Sequence, residues 1–203
     1  MSDIQIIENL IPKKLQDEIE KWISSEEVDW RFLETPAPNI FPNDLSIFNT
    51  WQLTHPFFAR DDPFFNRPSA GFNAIVIPML YNLKLVTGLN FVQKMGRIKA
   101  NALFKNANCG PNNYNPPHVD NPNPNYKSLL YYVNDSDGDT FIFNEVTTEL
   151  PEDKNYIPPK LTLNRRVTPK KGTAIMFNSN RYHASSSPTK SDRRYVINFV
   201  FIE

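Results

Sequence analysis

The chain has 203 residues, enough for one domain with a substantial core, and 40% of them are hydrophobic. Lysine plus arginine and aspartate plus glutamate both number 22, so no overall charge attracts the protein to nucleic acid or to a membrane surface. A single cysteine, Cys109, cannot form an internal disulfide. With no signal-peptide core at the start and no apolar run of the roughly 20 residues that span a bilayer, we expect a cytoplasmic protein.

The first half of the chain predicts two helices with mostly irregular structure between them. One amphipathic helix begins at Pro12, because apolar residues then recur on one face. A second helix is predicted over Ala74–Val86, where Pro78 implies either a kink or a later start. Residues 29–68 are rich in proline and aromatic residues without a clear period, and only Thr50–Thr54 indicates a strand there.

After Gly96 the apolar residues follow the alternating period of strands. The predicted strands are Ile98–Phe104, Ser128–Asn134, Thr140–Asn144, Leu161–Val167, Thr173–Phe177, Arg181–Ala184 and Arg194–Ile202. Helices followed by many short strands predict a mainly β fold with supporting α-helices, a double-stranded β-helix or jelly roll. We expect one domain over residues 1–203, with helical support up to about residue 96 and the jelly-roll core from about residue 97.

Three histidines limit the search for a metal site. On an extended segment, the side chains of His118 and Asp120 project to the same side, and such a pair supplies two ligands of the facial triad that binds Fe(II). The His-x-Asp pattern alone is weak evidence, because it is common by chance. For the third ligand, His55 lies in an aromatic loop segment where packing explains it, whereas His183 follows a turn, an apolar strand and a second turn. His183 is therefore the better candidate.

The last strand contains a second feature of interest, Arg194. Alternation predicts one face made of Arg194, Val196 and Asn198. An arginine whose head is buried needs an anionic partner, and a dicarboxylate would supply one through two parallel hydrogen bonds. The alternative is a surface arginine paired with a residue such as Asp192. Arg193 points the opposite way and is predicted to lie at the surface.

The order His-x-Asp, strand, glycine turn, strand, His and a strand that opens with Arg-Tyr resembles the prolyl-hydroxylase-type branch of the 2-oxoglutarate oxygenases. His118-Val119-Asp120-Asn121-Pro122-Asn123 followed by Tyr131-Tyr132-Val133-Asn134 is similar to the oxygen-sensing prolyl hydroxylases of animals, and the likeness covers about Ile98 to Phe201. The short chain and the Asn-Asp-Ser-Asp-Gly-Asp-Thr turn also resemble small oxygenases of phages and marine microbes.

This resemblance implies a specific activity and a specific site. It implies a dioxygenase that uses Fe(II), 2-oxoglutarate and O2, with ascorbate as a supporting reductant, and hydroxylates a substrate C–H with release of succinate and CO2. A prolyl residue in a peptide or protein is the first expectation for the substrate. The resemblance implies iron ligands at His118, Asp120 and His183, and contacts from Tyr132 and Arg194 to the far carboxylate of 2-oxoglutarate.

The sequence departs from the family pattern at three places, one of which is the long loop Asn106–Pro117. Gly138-Asp139-Thr140 stands where the family often has Gly-Gly, and Leu103 and Phe104 stand where a tyrosine near the cosubstrate is usual. Asn101 and Tyr114 are candidate replacements for that tyrosine.

Several alternatives stay open from the sequence. One is a jelly-roll binding module without catalysis, and another is a cupin-like metal enzyme that does not use 2-oxoglutarate. A third is an oxygenase for a small molecule or a nucleic acid base. The basic residues of 160–171 could bind an acidic partner or could protect an edge strand from pairing. Loop 111–126 could form a substrate lid or a rigid connection, and the oligomeric state is open.

Overall fold

The computed structural model describes residues 4–33, 47, 50–64, 66–69, 71–88, 94–149 and 160–202. The strands in these residues are β1 (Ile4–Ile7), β2 (Arg31–Leu33), β3 (Gln52–Ala59), β4 (Met95–Phe104), β5 (Tyr126–Tyr132), β6 (Thr140–Val146), β7 (Leu163–Val167), β8 (Ala174–Asn178), β9 (Arg181–Ser185) and β10 (Arg193–Ile202). The helices are α1 (Lys13–Ile23) and α2 (Ile77–Thr87), and a π-helical segment, Phe72–Val76, leads into α2.

The strands form two antiparallel sheets. The large sheet has the order β1-β8-β5-β10-β4-β3-β2, and the small sheet has the order β7-β6-β9. This is the mainly β jelly roll with supporting helices that the sequence predicts. All seven strands predicted after Gly96 are confirmed with small shifts at their ends, whereas β1 and β2 were not predicted. A division near residue 96 stays a prediction, and β1, β2 and β3 from the earlier part join the large sheet.

Strand β10 lies at the centre of the large sheet, between β5 and β4. Its alternating residues separate into two cores, as the sequence predicts. Tyr195, Ile197 and Phe199 belong to the core between the sheet and the helices. Val196 belongs to a second core that includes Ile142 of β6 and is therefore shared with the small sheet. We call these two sides of the large sheet the helix face and the inner face.

The helices cover the helix face. Ile19 and Ile23 of α1 and Leu80 of α2 are buried in the core of that face, and Ser24 is the C-cap of α1. Pro78 occupies the first turn of α2, so the later start that it implied is confirmed. None of the helices in the described ranges is long and apolar enough to cross a membrane.

His55 lies on β3, so its predicted place in a loop is wrong, and its predicted packing among aromatic side chains is correct. Its ring contacts Phe57 edge-on at a centroid distance of 4.8 Å and Trp22 at 5.6 Å. Nδ1 lies 3.0 Å from the carbonyl oxygen of Asp29. His55 is therefore part of the packed helix-face side of the sheet.

Candidate metal and cosubstrate site

The three predicted metal ligands lie together between the two sheets. One ligand atom from each of His118, Asp120 and His183 falls within 4.8 Å of the others. His183 is on β9, and the loop residue His118 pairs with it through two backbone hydrogen bonds of 3.0 and 2.9 Å. The backbone N–H of Asp120 donates to the carbonyl oxygen of Ser179 at 3.0 Å. The loop is thus fastened on both sides of the His-x-Asp pair.

Backbone carbonyl groups orient both imidazole rings. His183 Nδ1 lies 3.1 Å from the carbonyl oxygen of Arg181, and His118 Nδ1 lies 3.3 Å from that of Pro116. A carbonyl oxygen only accepts, so each Nδ1 is assigned the proton, which leaves Nε2 with a free lone pair. His183 Nε2 faces Asp120 Oδ2 at 3.5 Å. Both rings therefore present a metal-binding nitrogen to the same space.

Three side chains of the large sheet hold the Asp120 carboxylate. Arg97 Nη2 donates to Oδ1 at 2.5 Å, Ser128 Oγ donates to Oδ2 at 2.6 Å, and Asn198 Nδ2 lies 3.2 Å from both oxygens. Burial alone would raise the pKa of Asp120, but His183, Arg97 and the Ser128 hydrogen bond hold that pKa well below its usual range. The carboxylate is therefore ionised and available as a ligand.

The histidine of the loop is neutral at ordinary pH. Desolvation of the ring and the proximity of His183 lower the pKa of His118 to about 3, against the opposing influence of Asp120. A neutral imidazole is the form that binds a metal. Two imidazole nitrogens and one ionised carboxylate in one cluster match the donor set of a facial Fe(II) triad.

Arg194 lies on the inner face and is buried, with 3% exposed surface. Its Nε donates to the carbonyl oxygen of Gly138 at 2.7 Å, and Nη2 donates to Thr140 Oγ1 at 2.8 Å. It forms no ion pair with any residue in the described part of the chain, and the neighbouring Asp139 is paired with Arg166 through Oδ2. The alternative of a surface arginine is therefore wrong. A buried guanidinium without an anionic partner points to an anionic ligand.

Tyr132 and Thr140 complete the surroundings of Arg194. The Arg194 Cζ lies 5.9 Å from the centre of the Tyr132 ring, and the Tyr132 hydroxyl donates to Thr140 Oγ1 at 2.9 Å. Burial raises the pKa of Tyr132 to about 12, although Arg194 opposes the shift, so the hydroxyl keeps its proton. Thr140 Oγ1 thus accepts two hydrogen bonds, and its own hydrogen is left to donate elsewhere. The sequence did not single out Thr140 as a site residue.

Gly138 has a structural role in this arrangement. A Cβ there would lie 2.6 Å from the carbonyl oxygen of Ser186 and 3.0 Å from Cδ of Arg194. The single glycine in place of Gly-Gly therefore permits the close approach of the arginine. Leu103 is buried, and Asn101 accepts a hydrogen bond from Thr54 at 3.2 Å.

Other candidates from the sequence lie outside the site. Tyr114 packs against Phe141 and Phe143 with ring distances of 5.0 and 5.5 Å, in a cluster separate from both cores that flank the large sheet. Asn115 of the same loop accepts hydrogen bonds from the backbone and side chain of Thr50, which favours the rigid connection over the lid.

Two of the basic residues near 160–171 form ion pairs within the protein. Lys171 contacts Asp17 at 2.5 Å and Glu20 at 2.6 Å, and Arg166 pairs with Asp139. Strand β7, which carries Arg165 and Arg166, is an edge of the small sheet, so the explanation of edge protection is favoured.

Residues 104–202, which contain all five predicted site residues, match the family model described as the 2OG-Fe(II) oxygenase superfamily. The chain belongs to this superfamily. Oxygenases of this superfamily use Fe(II), 2-oxoglutarate and O2, so that cofactor prediction is confirmed, and the His-Asp-His cluster fits the iron. Ascorbate stays a prediction. No curated protein matches the sequence.

Solved structures of other oxygenases share the fold. A 2OG-Fe(II) oxygenase family oxidoreductase from Burkholderia pseudomallei has 11% identity and a TM-score of 0.60, over 98% of this chain and 85% of that one. A prolyl hydroxylase from Trichoplax adhaerens, in complex with a hypoxia inducible factor peptide, has 14% identity and a TM-score of 0.54, over 100% and 84%. HygX from Streptomyces hygroscopicus, with nickel and 2-oxoglutarate bound, has 11% identity and a TM-score of 0.54, over 98% and 82%.

Proposed function

We propose that this oxygenase hydroxylates a substrate C–H, with a prolyl group as the substrate, and releases succinate and CO2 from 2-oxoglutarate. The observation that carries the proposal is the juxtaposition of two groups on one inner face. The His118, Asp120 and His183 cluster, whose Asp120 is held by side chains of the inner face, has the donors for iron, and a buried arginine with no anionic partner among the described residues lies on that face. The sequence resemblance to prolyl hydroxylases supports the choice of substrate.

In this proposal, His118 and His183 hold the iron through Nε2 and Asp120 holds it through a carboxylate oxygen. The bound Fe(II) supplies the redox chemistry that couples the decarboxylation of 2-oxoglutarate to oxidation of the substrate. Arg97, Ser128 and Asn198 keep the carboxylate in one orientation, because each donates to it. Such supporting contacts commonly change metal affinity 10- to 100-fold in metal sites, by a rough estimate.

Arg194 is proposed to hold the far carboxylate of 2-oxoglutarate. Its Nε and Nη2 are fixed by Gly138 and Thr140, so the guanidinium needs no rearrangement to receive an anion. The Thr140 hydroxyl, which already accepts from Tyr132 and Arg194, donates its own hydrogen to the same carboxylate. In this arrangement Tyr132 acts through Thr140 and through its ring beside Arg194.

Succinate formation tests the reaction class. Purified protein is given Fe(II), 2-oxoglutarate and O2, and succinate is measured for wild type, His118→Ala and Arg194→Ala. We expect succinate from wild type, none above background from His118→Ala, and strongly reduced formation from Arg194→Ala. Succinate from His118→Ala at the wild-type rate would contradict the proposed iron site.

A substrate screen tests the prolyl assignment separately. Prolyl peptides, free amino acids and other small molecules are incubated with the active enzyme and examined by mass for a gain of one oxygen. A product from a prolyl compound supports the assignment. If only compounds without a proline ring gave a product, the proposed oxygenase activity would stand and the prolyl substrate would be wrong.

A further inference from the structure

Lys99 is a cation on the inner face that is not among the residues proposed above to hold iron or 2-oxoglutarate. Its neighbours Ile98 and Ala100 are buried in the helix-face core, so Lys99 projects to the opposite side of β4. Arg97, two residues earlier, reaches Asp120 from that side. Asn198 of β10, which is paired with Lys99 of β4 in the large sheet, also donates to Asp120. Lys99 therefore lies beside the metal-ligand cluster.

Within the described part of the chain, the Lys99 ammonium has no partner of its own. It makes no hydrogen bond or ion pair with any residue that the structure describes, and it is only partly buried. Burial and the charge of Arg97 lower the pKa of Lys99 to about 8, although Asp120 opposes the shift. An ammonium is costly to desolvate without an acceptor, and lysines of this kind usually extend into water or bind an anion.

The carboxylate whose charge acts on Lys99, that of Asp120, is already occupied. Asp120 accepts hydrogen bonds from Arg97, Ser128 and Asn198 and faces His183. Arg97 and Lys99 thus bring two positive charges to a region where Asp120 supplies one negative charge. Among the described residues no second carboxylate contacts Arg97 or Lys99, so we assign the anion that balances this excess to a ligand.

We propose that Lys99 binds a carboxylate of the substrate, so that the molecule oxidised carries a carboxylate close to the reacting C–H. This inference rests on the proposed oxygenase function and narrows its substrate class to compounds that carry a carboxylate. The carboxylate can be the main-chain group of a free imino acid or the side chain of an acidic residue beside a prolyl group. A hydrogen bond to a charged group discriminates roughly 10- to 100-fold against a neutral analogue.

Matched probe pairs measure that discrimination. The first pair is L-proline and L-prolinamide, and the second is N-acetyl-Glu-Pro-amide and N-acetyl-Gln-Pro-amide. Affinities are measured by calorimetry without O2 on protein loaded with Mn(II) and 2-oxoglutarate, and kcat/KM is measured aerobically with Fe(II). The two pairs distinguish a main-chain carboxylate from a side-chain carboxylate as the group that is recognised.

The variants are Lys99→Met, which keeps the length of the side chain without its charge, and Lys99→Arg, which keeps the charge. Lys84→Met on the exposed side of α2 is the matched control. We expect wild type and Lys84→Met to prefer the carboxylate member of one pair at least tenfold, in the range of a charged hydrogen bond. Lys99→Met should lose this preference, and Lys99→Arg should retain part of it.

Three outcomes would overturn the inference while the proposed function stands. The first is succinate formation with no preference for either carboxylate in wild type, or no binding of any probe. The second is an unchanged preference in Lys99→Met. The third is a raised KM for 2-oxoglutarate in substrate-free turnover by Lys99→Met without any change in preference, which would assign Lys99 to the cosubstrate. Failure of the proposed function itself differs, because wild type would then form no succinate at all.

Discussion

The two faces of strand β10 differ although they come from the same ten residues. The helix face presents Tyr195, Ile197 and Phe199 to a large apolar core. The inner face presents Arg194 and Asn198, which contact Thr140 and Asp120 with Val196 between them. The period of two that shapes the strand therefore also separates stability from chemistry. In β10, substitutions at 195, 197 and 199 on the helix face should therefore change stability, and substitutions at 194 and 198 on the inner face should change activity.

The largest effect is expected from removal of an iron ligand next to the inner face. His183→Ala should abolish Fe(II) binding and succinate formation, because its imidazole is one of three protein donors. Metal content after dialysis and succinate yield measure the effect. His55→Phe is the matched control, since His55 packs against Trp22 and Phe57 on β3. Loss of iron in both variants would mean that folding, and not ligation, explains the first result.

Arg193 and Arg194 lie on opposite faces of β10, so substituting each of them tests whether the two faces have different roles. Arg194→Met should raise the KM for 2-oxoglutarate, because loss of one partner of a buried charge pair costs about 2–5 kcal/mol, roughly 30-fold or more. Arg193→Met should leave that KM unchanged, since Arg193 is exposed and contacts the Tyr195 hydroxyl at 3.4 Å. Equal effects of the two substitutions would contradict the division of the strand.

On the helix face, Ile197→Ala tests the opposite side of the comparison. Ile197 is fully buried, and truncation should lower the free energy of unfolding by about 2–5 kcal/mol. Denaturant titration measures this loss. The folded fraction should retain the wild-type affinity for Mn(II). A weakened metal site in the folded protein would show that the two faces are not independent.

A smaller effect is expected from Asn198, which supports an iron ligand without being one. Asn198→Ala removes a donor to Asp120 and should weaken Mn(II) binding roughly 10- to 100-fold. Asn101→Ala is the control, because Asn101 accepts from Thr54 and does not contact Asp120. Calorimetric titration measures the Mn(II) affinity of both variants. Equal affinities would show that Asn198 does not support the metal site.

The smallest effect concerns the turn that precedes β10. Asp137 accepts backbone hydrogen bonds from Thr189, Lys190 and Ser191. Burial would raise the pKa of Asp137, but these bonds hold it well below the ordinary 3.8. The stabilisation is thus present above pH 4 and is lost as the pH falls toward the lowered pKa. Asp137→Asn should cost about 1 kcal/mol at pH 7 and progressively less in acid, as unfolding curves at several pH values would measure.

Local patterns predicted most of the fold and singled out His118, Asp120, His183 and Arg194 as site candidates, whereas Tyr132 was indicated only by the family resemblance. Alternation in β10 gave the correct face to Arg194 and Asn198, and the order of turns and strands placed His183 on a strand, although in its middle and not at its start. These features depend on a few neighbouring residues, so a single sequence contains them. His55 was placed in a loop because Pro56 and the aromatic residues around it hide the strand period.

Contacts between distant residues were not available from the sequence. Thr140 joins Tyr132 and Arg194 only because β6 and β10 lie in facing sheets. Arg97 reaches Asp120 across 23 positions of the chain, and Lys99 acquires its significance from the same neighbourhood. Strand β1 was missed because its pairing with β8 is what fixes four residues as a strand. Pairing partners of this kind are set by tertiary structure.

A crystal structure grown without O2 in the presence of Mn(II) and 2-oxoglutarate tests the central claim most directly. We expect the metal to bond to His118, Asp120 and His183, and the far carboxylate of 2-oxoglutarate to lie against Arg194 and Thr140 on the inner face. A metal bound elsewhere, or a 2-oxoglutarate carboxylate away from Arg194, would contradict the assignment of chemistry to this face.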